Sequence, residues 1–175
     1  AAPEDVVVLG VDFTSCTTLP VDEHLEPLCG KPEFAGNPSA YVKLWKDHAA
    51  QDKANRMTEV ARRRGEAFLE RYGGKVSSEW VLPKAWQLLD DAPEVYAAAY
   101  RIIEAGDWLV SLLVGREVRS CCMAGYKALW NARDGYPSRD FLRELDPRLE
   151  ELEEKLGPAP MPLGARAGCL TEAGA

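Results

Sequence analysis

The sequence predicts an α/β fold, and three observations carry that prediction. Residues 6–11 (Val-Val-Val-Leu-Gly-Val) form a continuous run rich in β-branched side chains, the pattern of a strand buried on both faces. Residues 49–64 are rich in Ala, Gln, Lys, Met, Glu and Arg and are followed by Gly65, which reads as a helix with a C-terminal stop. The chain has 175 residues, 46% of them hydrophobic and 28% charged, enough for one domain with a real core.

The first run ends in Asp12-Phe13-Thr14-Ser15-Cys16-Thr17-Thr18, small and rich in hydroxyls. In open α/β sheets ligands gather just beyond the carboxyl ends of strands. Residues 19–22 are expected to pair back before a turn at 23–27, and residues 28–38 to be irregular. Residues 41–45 (Tyr-Val-Lys-Leu-Trp) alternate and predict another strand. Residues 71–76 predict a turn, and Ser77 is placed as N-cap of a helix in which Pro83 falls in the early turns. Residues 93–99 predict a short helix with proline near its start. Residues 100–104 fit a strand or a continuation of that helix. Asp107 is expected to cap a helix over 108–114 that Gly115 closes. A turn at 135–138 leads to a helix over 138–145, and Asp146-Pro147 to another ending at Leu156. Residues 157–175 are a Pro, Gly and Ala-rich tail, and no internal repeat occurs.

The net charge of -7 and a pI near 5.0 argue against a nucleic-acid or anionic-membrane surface. Arg62-Arg63-Arg64 is the only basic run and reads as a solvated helix terminus, and the acidic cluster at 150–154 reads as a solvated helix face. No segment approaches a membrane span or a signal peptide. Five cysteines without C-x-x-C spacing, and only two histidines, offer no zinc pattern and imply reduced thiols in the cytosol. Nucleotide loops, a nucleophile elbow and a zinc-protease helix are all missing.

Three stretches hold the polar groups a small hydroxylated ligand needs: residues 12–18, Trp45-Lys46-Asp47-His48, and Gly125-Tyr126-Lys127. Sugar sites combine an aromatic face with charged or hydroxyl side chains, and Ser15, Trp45 and Lys127 supply that mixture. Each stretch also has a plain structural reading: hydroxyls on their own backbone, a core tryptophan before a solvated turn, and a lysine that snorkels to water or meets a carboxylate. Gly125 is expected to allow a tight or left-handed backbone before Lys127.

The strings at residues 10–22 (Gly-Val-Asp-Phe-Thr-Ser-Cys-Thr-Thr-Leu-Pro-Val-Asp), 32–35 (Pro-Glu-Phe-Ala), 42–50 (Val-Lys-Leu-Trp-Lys-Asp-His-Ala-Ala), 72–80 (Tyr-Gly-Gly-Lys-Val-Ser-Ser-Glu-Trp), 104–108 (Glu-Ala-Gly-Asp-Trp) and 124–130 (Ala-Gly-Tyr-Lys-Ala-Leu-Trp) resemble the FGGY family of carbohydrate kinases, and within it the kinases of L-ribulose. The resemblance runs from about Val6 to Leu170 with the strings in consistent order. It implies an RNase H-like, actin/hexokinase-type fold in two lobes, with a sugar and ATP cleft between them. The implied activity is phosphorylation of the 5-hydroxyl of L-ribulose with ATP and Mg2+, a cytoplasmic step of L-arabinose catabolism. Lys127 matches the family's sugar-contacting lysine, Ser15 a strand-end position that members fill with different small residues, and Trp45 a wall of the pocket. Glu79 takes no role from the family, since a carboxylate at a helix start has an adequate structural reading.

The family's amino-terminal phosphate hairpin is absent, and residues 10–16 resemble a later strand. The family's general-base aspartate and its ATP lobe have no counterpart in this chain. The resemblance therefore implies that residues 1–156 are part of the N-terminal sugar-binding domain, with 157–175 a connecting segment or tail. An internal fragment of that lobe is expected to be inactive alone, to bind no nucleotide or metal itself, and to self-associate through unpaired strand edges, with a homo-oligomer as one form. The alternatives are a noncatalytic sugar-binding or interaction module, and a helical scaffold in which the strings are coincidental.

Overall fold

Pro20 decides how far the sheet can grow. In the computed structural model, which describes residues 5–174, strand β1 (Thr18–Val21) pairs antiparallel with β2 (Arg101–Glu104), with Thr18 opposite Glu104 and Val21 opposite Arg101. On the other edge of β1, Thr18 N donates to Lys43 O at 3.0 Å and Lys43 N to Thr18 O at 2.8 Å. The next residue of β1 facing that edge is Pro20. It has no N–H, so the ladder stops after one bridge. The strand expected at residues 41–45 is therefore not formed, and Tyr41, Val42, Leu44 and Trp45 stay between 41% and 50% exposed.

The strand expected at residues 6–11 is also absent. Val7 is 92% and Val8 80% exposed, and no strand lies beside them among the described residues. β-Branched side chains favour an extended chain but cannot close a ladder without a neighbour to take the backbone bonds. The strand buried on both faces is β1 instead. It does not fold back locally; residues 23–27 turn, with Asp22 N donating to Glu26 O at 3.0 Å, and the partner comes from residues 101–104. That settles the strand reading over the helical one for the latter segment. Exposed apolar runs of this kind favour association between chains. We expect Val7→Lys to lower the sedimentation-average mass of the chain at high concentration without shifting its melting temperature.

Eight α-helices surround this small sheet among the described residues: α1 (Gln51–Arg64), α2 (Phe68–Arg71), α3 (Val81–Asp91), α4 (Pro93–Ala98), α5 (Ala105–Val114), α6 (Cys121–Lys127), α7 (Arg139–Leu145) and α8 (Leu152–Leu156). Gly65, at φ 69°, stops α1 as expected, its N–H returning to Ala61 O and Arg62 O. Pro93 starts α4, and Ser138 Oγ caps α7 through Phe141 N. The arginine run at the end of α1 is exposed as expected, and Arg63 and Arg64 both pair with Glu144 on α7.

Several boundaries differ from expectation. Helix α3 begins at Val81 with Trp80, not Ser77, in the cap position, which leaves Pro83 in the first turn where its missing N–H is unused. Glu104 takes the cap position of α5; Asp107 lies inside the first turn and its carboxylate accepts from Ser120 N at 3.0 Å, joining α5 to α6. Gly125 is helical within α6, and the left-handed residue is Leu129 at φ 63°. The helix expected over 146–156 is split into a 3-10 turn (Pro147–Leu149) and α8.

The main core lies among α1, α3, α4, α7 and α8, where Met57, Val60, Leu82, Phe141, Leu149 and Leu152 are fully buried. A smaller cluster of Leu19, Val21, Ile103 and Ala105 packs across the sheet, with Leu25 and Trp108 against it. No helix among the described residues is long and apolar enough to cross a membrane.

Candidate functional site

The loop before β1, the stretch after Lys43 and the end of α6 converge at one corner of the molecule. Lys127, in the last turn of α6, extends its ammonium to 3.6 Å from a Glu79 oxygen, 6.0 Å from the Trp45 ring centroid and 5.4 Å from that of Tyr126. Its side chain is 15% exposed. Of the plain readings open to this lysine, the carboxylate partner is the one realised, and the aromatic faces flank it as a cation–π pair would. The other Glu79 oxygen lies 3.4 Å from His48 Nε2, while His48 Nδ1 is 3.2 Å from Ser78 Oγ. Glu79 thus stands between a lysine and a histidine, a central place that its position at a helix start did not reveal.

Ser15 precedes Cys16 in the loop before β1 and is buried. Its hydroxyl is sealed from solvent, with the Cys16 thiol as its neighbour and no nitrogen or oxygen partner. The neighbouring Cys16 is fully buried, has a left-handed backbone (φ 71°), and places its sulfur 4.0 Å from the Lys127 carbonyl oxygen. Burial, reinforced by the Glu104 charge, pushes the Cys16 thiol up to about 12, so it is no nucleophile at neutral pH. Both Glu104 oxygens accept from Cys16 N, at 2.8 and 3.0 Å. Burial raises the Glu104 carboxyl to about 8, despite that hydrogen bond and the nearby Lys84 and Lys127 charges.

The structure therefore brings Trp45 and Lys127 together, and sets Cys16, the residue after Ser15, against the Lys127 backbone. It forms an open wall and not an enclosed pocket: Trp45 is half-exposed and Tyr126 exposed. A cavity of about 390 Å3 lies elsewhere and is lined by Glu23, Tyr100, Arg101 and Lys155 among others. An indole face, a flanking ammonium and a carboxylate suit the C–H and hydroxyl faces of a polyol. The Glu79 carboxylate already pairs with Lys127 and lies beside the His48 ring, a donor set that does not suit Mg2+. Among the described residues no group of three or more His, Cys, Asp or Glu side chains is placed to hold a metal ion.

No protein-family model matches the chain. The chain is 56% identical over 171 residues to the ribulokinase of Geobacillus thermodenitrificans, an alignment that covers 97% of this chain and 30% of that protein. The ribulokinase of Halalkalibacterium halodurans is 56% identical over 168 residues, covering 95% of this chain and 30% of that protein. The ribulokinase of Mycolicibacterium smegmatis is 49% identical over 171 residues, again with 97% of this chain and 30% of that protein covered. The chain thus spans about 30% of the length of the curated relatives it matches.

Proposed function

We propose, from the premise that this chain is ribulokinase-like along nearly its whole length, that it forms part of the sugar-binding wall of an ATP-dependent carbohydrate kinase. The lobe around it is RNase H-like, and the substrate is a ketopentose, L-ribulose, phosphorylated at the 5-hydroxyl. The observation that carries this reading is the approach of Lys127 to the Trp45 face, with Cys16 against the Lys127 backbone.

In this reading the Trp45 face packs against the C–H side of the sugar, and the Lys127 ammonium donates to its hydroxyls, exchanging its loose pairing with Glu79 for ligand oxygens. The carboxylate that pairs with Lys127, Glu79, lies between Lys127 and His48. In this reading the group that takes the proton from the 5-hydroxyl and the residues that hold MgATP belong to other parts of the kinase, of whose length this chain spans about 30%, and the chain alone does not turn over.

The test is steady-state kinetics of a chimera in which this chain replaces the matching segment of the Geobacillus thermodenitrificans ribulokinase. We expect Lys127→Ala to raise KM for L-ribulose about tenfold or more, the effect of losing one charged hydrogen bond, and to leave KM for ATP unchanged. Equal kinetics in the two chimeras would remove Lys127 from the sugar site. A chimera without kinase activity, joined to sugar binding by the chain alone, would favour a noncatalytic sugar-binding module.

A further inference from the structure

Lys84 is 2% exposed, on the face of α3 that also buries Val81, Leu82, Ala85 and Leu88. An ammonium in such a place is costly unless its hydrogen bonds are made, and a leucine there would pack without that cost. Its Nζ makes two, both at 2.7 Å and both to backbone carbonyls: Cys16 O and Leu44 O. These carbonyls belong to segments that the Thr18–Lys43 bridge has just brought together. In a continuing antiparallel ladder Cys16 would lie opposite Trp45, but the left-handed turn at Cys16 breaks that register. Lys84 spans the break from inside the core, and Glu104 grips the same Cys16 residue through its N–H.

We infer that Lys84 is a positioning residue: its ammonium holds the Cys16 and Leu44 carbonyls together, and with them the Ser15 and Trp45 side chains of the sugar wall. The sugar role of that wall rests on the function proposed above, whereas the clamp itself does not. The two carbonyls lie next to the residues they position, so loss of the clamp moves the Ser15 and Trp45 side chains before it disturbs the helical core.

The experiment is a set of 1H–15N spectra of the full chain and of Lys84→Met, with and without L-ribulose. We expect Lys84→Met to keep its helical circular dichroism, to move or broaden the Trp45 indole and the Ser15 and Cys16 amide signals, and to weaken L-ribulose binding about tenfold. The Trp108 indole, which donates to Leu25 O at 2.8 Å across the small cluster, is expected to stay in place. Unmoved Trp45, Ser15 and Cys16 signals in folded Lys84→Met would overturn the clamp, as would a global shift that includes Trp108. If the unaltered chain does not bind L-ribulose, the sugar reading fails, while the response of the same three signals still decides the clamp. Should Lys84→Met not fold, Lys84→Arg keeps the charge and donors but displaces them; unmoved signals there would equally overturn the inference.

Discussion

Phe141→Ala is expected to cost about 3–5 kcal/mol of folding free energy, the range for truncating a fully buried aromatic ring. Phe141 is 0% exposed, meets Phe68 edge to face at 5.3 Å between centroids, and lies beneath the Arg64 guanidinium. Its helix α7 packs directly on α1, so the cavity would open at the junction that Arg63, Arg64 and Glu144 also hold. Against a total of roughly 5–15 kcal/mol for a typical domain, the loss leaves little folded population near 37 °C. Urea unfolding at 25 °C should show the midpoint fall sharply in Phe141→Ala and hardly move in Leu163→Ala, whose side chain is exposed. Similar shifts in both would mean that the α1–α7 junction is not the centre of the core.

The second large effect is with pH. The Glu104 carboxyl is raised to about 8 by burial, and Asp107 to about 6 by the same cause. A carboxyl whose folded value lies above its unfolded one stabilises the fold fully below the unfolded value and loses that contribution as pH rises through the folded one. Stability should therefore fall between about pH 5 and 8.5, by an amount on the order of a few kcal/mol. Asp22, Asp90 and Asp146 are shifted downward and act oppositely, but only at more acid pH. Glu104 faces Cys16, Lys84, Lys127 and Asp107. Glu104→Gln, which keeps an acceptor for Cys16 N, should flatten most of the decline in melting temperature measured across this range. An unaltered slope in that variant would assign the decline to other groups.

What could be read from the sequence divides by how local each signal is. Gly65, Pro93 and Ser138 each mark a helix end through their own backbone or side-chain chemistry, and α1, α4 and α7 lie where they were expected. Residues 6–11 and 41–45 fail for non-local reasons: the first has no strand beside it, and the second meets the missing N–H of Pro20. At the site, Trp45 and Lys127 are legible as the aromatic and cationic residue types a sugar needs, but only the resemblance to a kinase family joins them, because no spacing along the chain indicates that residues 82 apart will meet. Glu79 was hidden by its ordinary place before a helix. Lys84 did carry a signal, a single cation on an otherwise apolar helix face, but its targets are carbonyls and so leave no trace in side-chain type.

The most direct measurement is a titration of the 15N-labelled chain with L-ribulose, following the Trp45 indole and the amides of Ser15 and Lys127. The account predicts saturable shifts concentrated at these three residues and abolished by Lys127→Ala. No saturable shift at millimolar sugar, or shifts that persist unchanged in Lys127→Ala, would contradict a sugar wall built on Lys127 and Trp45.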